Sequence, residues 1–219
     1  MFCNKNKIAW DDFDSLRECV KSFVKEKRYI HVLGVEKEAG KLAEIFECGA
    51  NLAKKLKSAA ILHDITKEFD RETQLEICEK YKIKLSESDM RTEKEWHAKT
   101  GAYIAKCEFG ADGIVFDAIY YHTLGKNKDF TLCDKIIYLA DYIEPDRTYQ
   151  DCIDVRGFFY SNLQKTGNTE STQSLKEKYK VLDATILFSL NKTIKALIDE
   201  NSFIHKNTVK CRNSFIEMQ

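Results

Sequence analysis

Five histidines stand in the 219-residue chain, and four of them, His31, His63, His97 and His122, lie 32, 34 and 25 residues apart. An aspartate directly follows the second as His63-Asp64, and Asp141 comes 19 residues after His122. Imidazole and carboxylate are ligand types for divalent transition metals. Separations of this size place each side chain on a different helix, and packed helices can bring such side chains to one interior point, as metal sites in helical proteins require.

The neighbouring residues say which way these groups face. Leu52, Leu56, Ala59, Ala60 and Leu62 form an apolar stripe that runs into His63-Asp64. Adjacent helical residues sit about 100° apart, so both can enter one cavity from the edge of that stripe. In a helix over 112–123, Val115, Ala118, Ile119 and His122 share an inward face. Asp141 follows the apolar Leu139-Ala140. A single histidine on an apolar face is more often a satisfied core residue, but four histidines and two aspartates on core stripes are better explained by a cation, because carboxylates buried without one are costly.

The elements that must position these groups are helical. One proline and nine glycines are too few for the frequent turns of an all-β fold, so the expected class is all-α. Apolar residues at spacings of three and four predict helices from Phe13 to Val24 and from Val35 to Cys48, with Gly49 as the stop and Asn51 as the next cap. Further helices are predicted at about 71–81, 94–108, 112–123 and 131–143, the last stopped by Pro145. Residues 166–174 are polar and aperiodic and read as a mobile loop, after which Leu182 to Leu197 regains helical spacing. No repeat or domain boundary is visible, so residues 1–219 read as a single domain.

Composition excludes other classes. Thirty-five basic residues balance thirty-five acidic ones, which gives no field for nucleic acid or an anionic membrane. No apolar run reaches bilayer length, and the start does not resemble a signal peptide, so a soluble cytoplasmic protein is expected. The eight cysteines are scattered without zinc-knuckle spacing and read as reduced core thiols.

The words around the candidate ligands are Arg28-Tyr29-Ile30-His31 with Gly34-Val35, His63-Asp64-Ile65-Thr66-Lys67, His122-Thr123-Leu124-Gly125, and Ala140-Asp141-Tyr142-Ile143-Glu144-Pro145-Asp146-Arg147. Together they resemble the YqeK family of HD-domain phosphohydrolases, which cleave diadenosine tetraphosphate symmetrically to two ADP. The resemblance runs from about 28 to 213, including Ile204-His205 and Arg212-Asn213, and departs from the family's pattern over Arg156 to Lys180. It implies an HD-type bundle with an interior metal centre in a core of about 28–213.

Metal chemistry then assigns expected roles. Cleaving a phosphoanhydride needs an activated water and neutralised phosphoryl charge, both of which a transition metal supplies. His31, His63, Asp64 and Asp141 form the expected metal set, with iron favoured by the resemblance, manganese or another divalent metal as alternatives, and one or two ions. His97 and His122 hold a second metal bridged by Asp64, or contact phosphate directly. Lys67, three residues after Asp64, is expected beside the metal as a catalytic cation together with Asp64. Nucleotide contacts are expected from Arg28, His31, Gly34, Asp64, Lys67, His97, His122, Thr123, Asp141 and Arg147, and from Thr193, Ile194 and Leu197, whose stripe can cover a purine. Glu144-Pro145 reads as a helix terminator rather than a catalytic acid, and His205 as structural or surface. The alternatives are another HD-domain nucleotidase or cyclic-nucleotide phosphodiesterase, and a nucleotide-binding sensor without turnover. The expected partner is a small nucleotide rather than nucleic acid or membrane, with a homodimer left open.

Overall fold

The computed structural model describes residues 8–166 and 171–217, with backbone alone at 171–173. Eleven helices and one short 3-10 turn run through these residues, and no strand occurs among them. In chain order they are α1 (Phe13–Lys21), α2 (Glu26–Ile45), α3 (Ala50–Leu62), α4 (Arg71–Lys80), α5 (Glu87–Met90), the 3-10 turn Glu93–Glu95, α6 (Trp96–Phe109), α7 (Gly113–Tyr120), α8 (Leu132–Ile143), α9 (Gln150–Lys165), α10 (Ser171–Asp199) and α11 (Lys206–Glu217).

Side chains set many of the helix starts. Asp12, Asp70 and Asp112 accept backbone N–H bonds at the heads of α1, α4 and α7, where the first-turn donors lack helical partners. Ser86 with Asp89, and Thr131 with Asp134, close reciprocal capping boxes at α5 and α8.

Buried faces of α2, α3, α7 and α8 make the centre. Val35, Ala39 and Leu42 meet Ala59, Ala60 and Leu62, with Ile119, Ile136, Leu139 and Ala140 closing the cluster. Helix α6 packs on α7, and α9 and α10 pack together and reach the bundle through α8. One apolar cluster runs from Leu16 on α1 to Phe215 on α11. Gly125 lets the chain turn after α7. It has a positive φ of 70°, and a Cβ there would collide with Cys211 of α11.

Several boundaries differ from the sequence expectation. Helix α2 ends before Gly49, the left-handed residue is Glu47 with φ 54°, and Gly49 rather than Asn51 caps α3. A left-handed residue can close a helix without being glycine, and Glu47 takes that conformation here. Helix α1 ends at Lys21 instead of Val24, and α2 starts at Glu26, well before Val35. Helix α7 stops at Tyr120, which leaves His122 in the following turn. Of the loop expected over 166–174, Thr166 closes α9 and α10 begins at Ser171, while residues 167–170 lie outside the described residues. No disulfide joins two described cysteines, and no helix among the described residues is long and apolar enough to cross a membrane.

Candidate metal centre

Five segments deliver the chemistry-bearing groups to one point. His31 projects from the second turn of α2, and His63 caps the end of α3 with Asp64 in the turn that follows. His97 stands in the first turn of α6, His122 follows α7, and Asp141 lies near the end of α8. His31, His63, Asp64, His97 and His122 are all buried.

Each imidazole has its Nδ1 tied down. His63 Nδ1 donates to the Ala60 carbonyl at 2.7 Å, His97 Nδ1 to the Lys94 carbonyl at 2.7 Å, and His122 Nδ1 to the Ile119 carbonyl at 2.6 Å. His31 Nδ1 donates to Glu144 Oε1 at 3.0 Å. A carbonyl oxygen can only accept, so in the three backbone-bound rings Nδ1 carries the proton, and the neutral ring leaves Nε2 as a bare lone pair. These lone pairs converge. His97 Nε2 and His122 Nε2 stand 3.3 Å apart, and His97 Nε2 is 3.2 Å from Asp64 Oδ1. His31 Nε2 is 3.0 Å from Asp141 Oδ1. Buried His63 Nε2 has no hydrogen-bond partner.

Acceptors held against acceptors in a buried space are repulsive unless a cation or shared protons lie between them. The donor set therefore fits a metal. Donor atoms of His31, His63 and Asp141 lie within 4.8 Å of one another, as do those of His63, Asp64 and His122. Asp64 faces both groups: Oδ2 stands 3.7 Å from His31 Nε2 and 3.5 Å from His63 Nε2, while Oδ1 turns toward His97 and, at 3.7 Å, His122.

The charges follow this arrangement. Burial opposes ionisation of Asp64, yet where shared protons rather than a metal fill the space, the imidazoles of His63, His122 and His97 hold its carboxyl well below the usual range. Burial likewise opposes the Asp141 carboxylate, and the Arg147 guanidinium with His31 overrides it downward. Without a metal, His31 lies between two carboxylates. Burial disfavours its charge, but hydrogen bonds to Asp141 and Glu144 push its pKa up to about 9.

Three cations surround the ligands. Arg28 Nη1 donates to Asp64 Oδ2 at 2.8 Å, and its buried Nε has no partner. Arg147 Nη2 donates to Asp141 Oδ1 at 2.5 Å. Lys67 reaches the His97 ring, with Nζ 3.2 Å from Nε2, and not Asp64, because the chain after His63 is a turn and the three-residue helical offset does not apply. The buried hydroxyl of Thr123 has no partner either.

Other expected contacts lie farther out. Gly34 stands against Glu144, and a Cβ at that position would come within 2.6 Å of Oε2. Thr193, Ile194 and Leu197 are half-buried on α10, where Thr193 bonds Tyr142, the neighbour of Asp141. His205 is buried, so the surface reading falls away; its Nδ1 accepts from the Asn207 N–H at 3.0 Å.

Two residues of the site escape sequence reasoning. Glu144 terminates α8 as expected, but its buried carboxylate also holds His31 and accepts the Asp146 N–H at 2.7 Å. Its signal was its position three residues after Asp141, which puts both on one face of α8. Arg156, inside the stretch that departs from the family pattern, donates to the carbonyls of Ile143, Glu144 and Arg147 at 2.6, 2.5 and 2.9 Å and so fixes the α8–α9 turn. Carbonyls leave no mark in a sequence, and nothing could have indicated this role.

Paired His-Asp ligands in the middle of a helical bundle define a class. Residues 28–146 match the family described as the HD domain, and the chain belongs to that family. Within it, the chain is 41% identical over 148 residues to the "Bis(5'-nucleosyl)-tetraphosphatase, symmetrical" of Bacillus subtilis, a match covering 67% of this chain and 77% of that protein. The enzyme of the same name from Staphylococcus aureus is 30% identical over 205 residues, 93% of this chain and 94% of its own. A crystal structure described as a predicted HD superfamily hydrolase involved in NAD metabolism, from Clostridium acetobutylicum, matches with a TM-score of 0.78 at 31% identity, covering 95% of this chain and 98% of the other.

Proposed function

We propose that the protein hydrolyses diadenosine tetraphosphate symmetrically: one water is consumed, the central phosphoanhydride breaks, and two ADP leave. The observation that carries this reading is the convergence of four imidazole Nε2 atoms on Asp64 and Asp141 inside a ring of Arg28, Lys67 and Arg147. Three cations around one centre suit a polyphosphate better than a monophosphate. Relatives bearing the name of this activity align over most of the chain.

His31, His63, Asp64 and Asp141 would hold one metal, and His97 and His122 a second one or a phosphate, with Asp64 as the bridge. Such a metal supplies Lewis acidity and lowers the pKa of a bound water. The nitrogen-rich donor set with two carboxylates suits iron or manganese, and iron is our assignment.

The protein's own groups do the remaining work. Nδ1 anchors fix the rings so that ligand geometry is set before substrate arrives. The unpartnered Arg28 Nε and Thr123 hydroxyl are donors for phosphoryl oxygens. Lys67 neutralises charge that builds on those oxygens as the bond breaks. Incubation of metal-loaded protein with a nucleotide panel, with products resolved by chromatography, tests the reading. Diadenosine tetraphosphate should give ADP alone. ATP and AMP would place attack at a different phosphorus and refute it, whereas turnover of a cyclic or mononucleotide alone would favour the other HD-domain activities.

A further inference from the structure

Asp64 Oδ1 and His97 Nε2 face each other at 3.2 Å, yet they come from different kinds of backbone. His97 stands in a regular helix, whereas residues 63–68 form a run of turns whose internal bonds, such as the Lys67 N–H to the Asp64 carbonyl at 2.9 Å, are local. Local bonds shape a turn but do not set its distance from a neighbouring helix. A separate tie must hold the Asp64 turn against α6.

Three buried polar side chains supply it: Thr66 in the turn, Gln74 on α4, and Thr100, about one helical turn after His97 on α6. The Thr100 hydroxyl donates to Gln74 Oε1 at 2.6 Å, and Gln74 Nε2 donates to the Thr66 carbonyl at 2.6 Å. Thr66 Oγ1 stands 2.8 Å from Thr100 Oγ1 and 3.1 Å from the His97 carbonyl. Thr100 gives its one proton to Gln74, so Thr66 directs its own at Thr100 or at the His97 carbonyl. Turn, α4 and α6 are thus joined in a closed ring. The α6 backbone also comes close: a Cβ added at Gly101 would lie 3.4 Å from the His63 carbonyl oxygen. Polar groups sealed from water are costly unless paired, and a fully paired set specifies one geometry.

We infer that Thr66, Gln74 and Thr100 are positioning residues of the metal centre: their ring of hydrogen bonds sets the separation of Asp64 from His97. They act through those two residues. This role rests on the metal centre proposed above and is independent of which nucleotide is cut.

Titration of the purified protein with manganese(II) tests it. Thr100→Val removes the hydroxyl at nearly constant shape and should weaken manganese binding about 10- to 100-fold, while Thr100→Ser keeps the hydroxyl and should bind as wild type does. Gln74→Met should match Thr100→Val, and the double variant should bind no more weakly than either single one. The double variant also separates positioning from stability. With both partners gone, the Thr66 hydroxyl keeps the His97 carbonyl and the Thr66 carbonyl keeps the Phe69 N–H at 3.1 Å, so no polar group of the ring is stranded. Resistance to denaturant should therefore recover above that of Thr100→Val, and manganese affinity should stay low. Affinity that returns with stability would make the ring a core support alone and overturn the inference, as would wild-type affinity in folded Thr100→Val or Gln74→Met. Where a single variant does not fold, the double variant carries the same test. Wild-type protein that binds manganese but makes no ADP from the dinucleotide would sink the proposed reaction instead and leave the ring its role.

Discussion

Glu144 Oε1 accepts the Nδ1 proton of His31 at 3.0 Å, across 113 residues of sequence, and Gly34 leaves the space that the Glu144 carboxylate fills. This contact sets the ring's orientation and points Nε2 at Asp141. Glu144→Ala should therefore weaken metal binding by about 10- to 100-fold without removing any direct ligand. Glu144→Gln, which keeps an acceptor, should lose less. Gly34→Ala should act in the same direction by displacing the carboxylate. Metal titration of the three variants checks the order, and equal affinities would detach Glu144 from the centre.

Asp64 shares its two oxygens between the His31 and His97 sides. Asp64→Ala should strip metal from both and abolish hydrolysis. Asp64→Asn keeps the shape but removes ligand charge, and should also bind metal poorly. Elemental analysis decides: full occupancy in Asp64→Ala would mean the centre lies elsewhere.

Lys67 touches His97 rather than Asp64, which places it on the His97 side of the cluster. Lys67→Ala should keep metal on the His31 side near wild type and lower kcat by roughly 100-fold or more, with a smaller change in KM. Kinetics combined with metal analysis separate the outcomes. Unchanged turnover would make Lys67 a bystander, and lost metal would make it a support for the ligands.

A second buried charge cluster supports the fold. Lys99 donates to Asp89 Oδ2 at 2.6 Å, and His205 Nε2 lies 3.3 Å from Asp89 Oδ1, all three being buried. Asp89→Asn strands the Lys99 charge and should cost about 3–5 kcal/mol of stability in chemical denaturation. Replacing both as Asp89→Leu with Lys99→Met should cost less.

That cluster also gives a pH dependence. Burial first, and nearby Lys99, lower the His205 pKa below its ordinary 6.5 despite Asp89. The folded state thus favours neutral His205, and below pH 6.5 the unfolded chain binds the proton more readily. The stabilisation is complete above about 6.5 and declines as pH falls toward the lower folded value. Thermal melts from pH 7 to pH 5 should show a steeper loss for wild type than for His205→Asn, and parallel curves would remove His205 from the balance.

Residue types and spacing by themselves determined the all-α class and His31, His63, Asp64, His97, His122 and Asp141 as candidate ligands, because apolar periodicity and ligand chemistry are properties of side-chain identity, and the words around those ligands carried the resemblance to the family. Tertiary structure decided the relations among them. Which oxygen of Asp64 faces which imidazole depends on how α2, α3 and α6 cross. The grip of Arg156 on three carbonyls and the Nδ1 anchors of His63, His97 and His122 involve backbone groups that every residue carries, so no residue type announces them. Glu144 and His31 meet only because α8 packs on α2, and Lys67 finds His97 because the chain leaves helical geometry after His63. Long-range contacts of this kind are fixed by packing, which sums over the whole core and is not encoded in any local pattern.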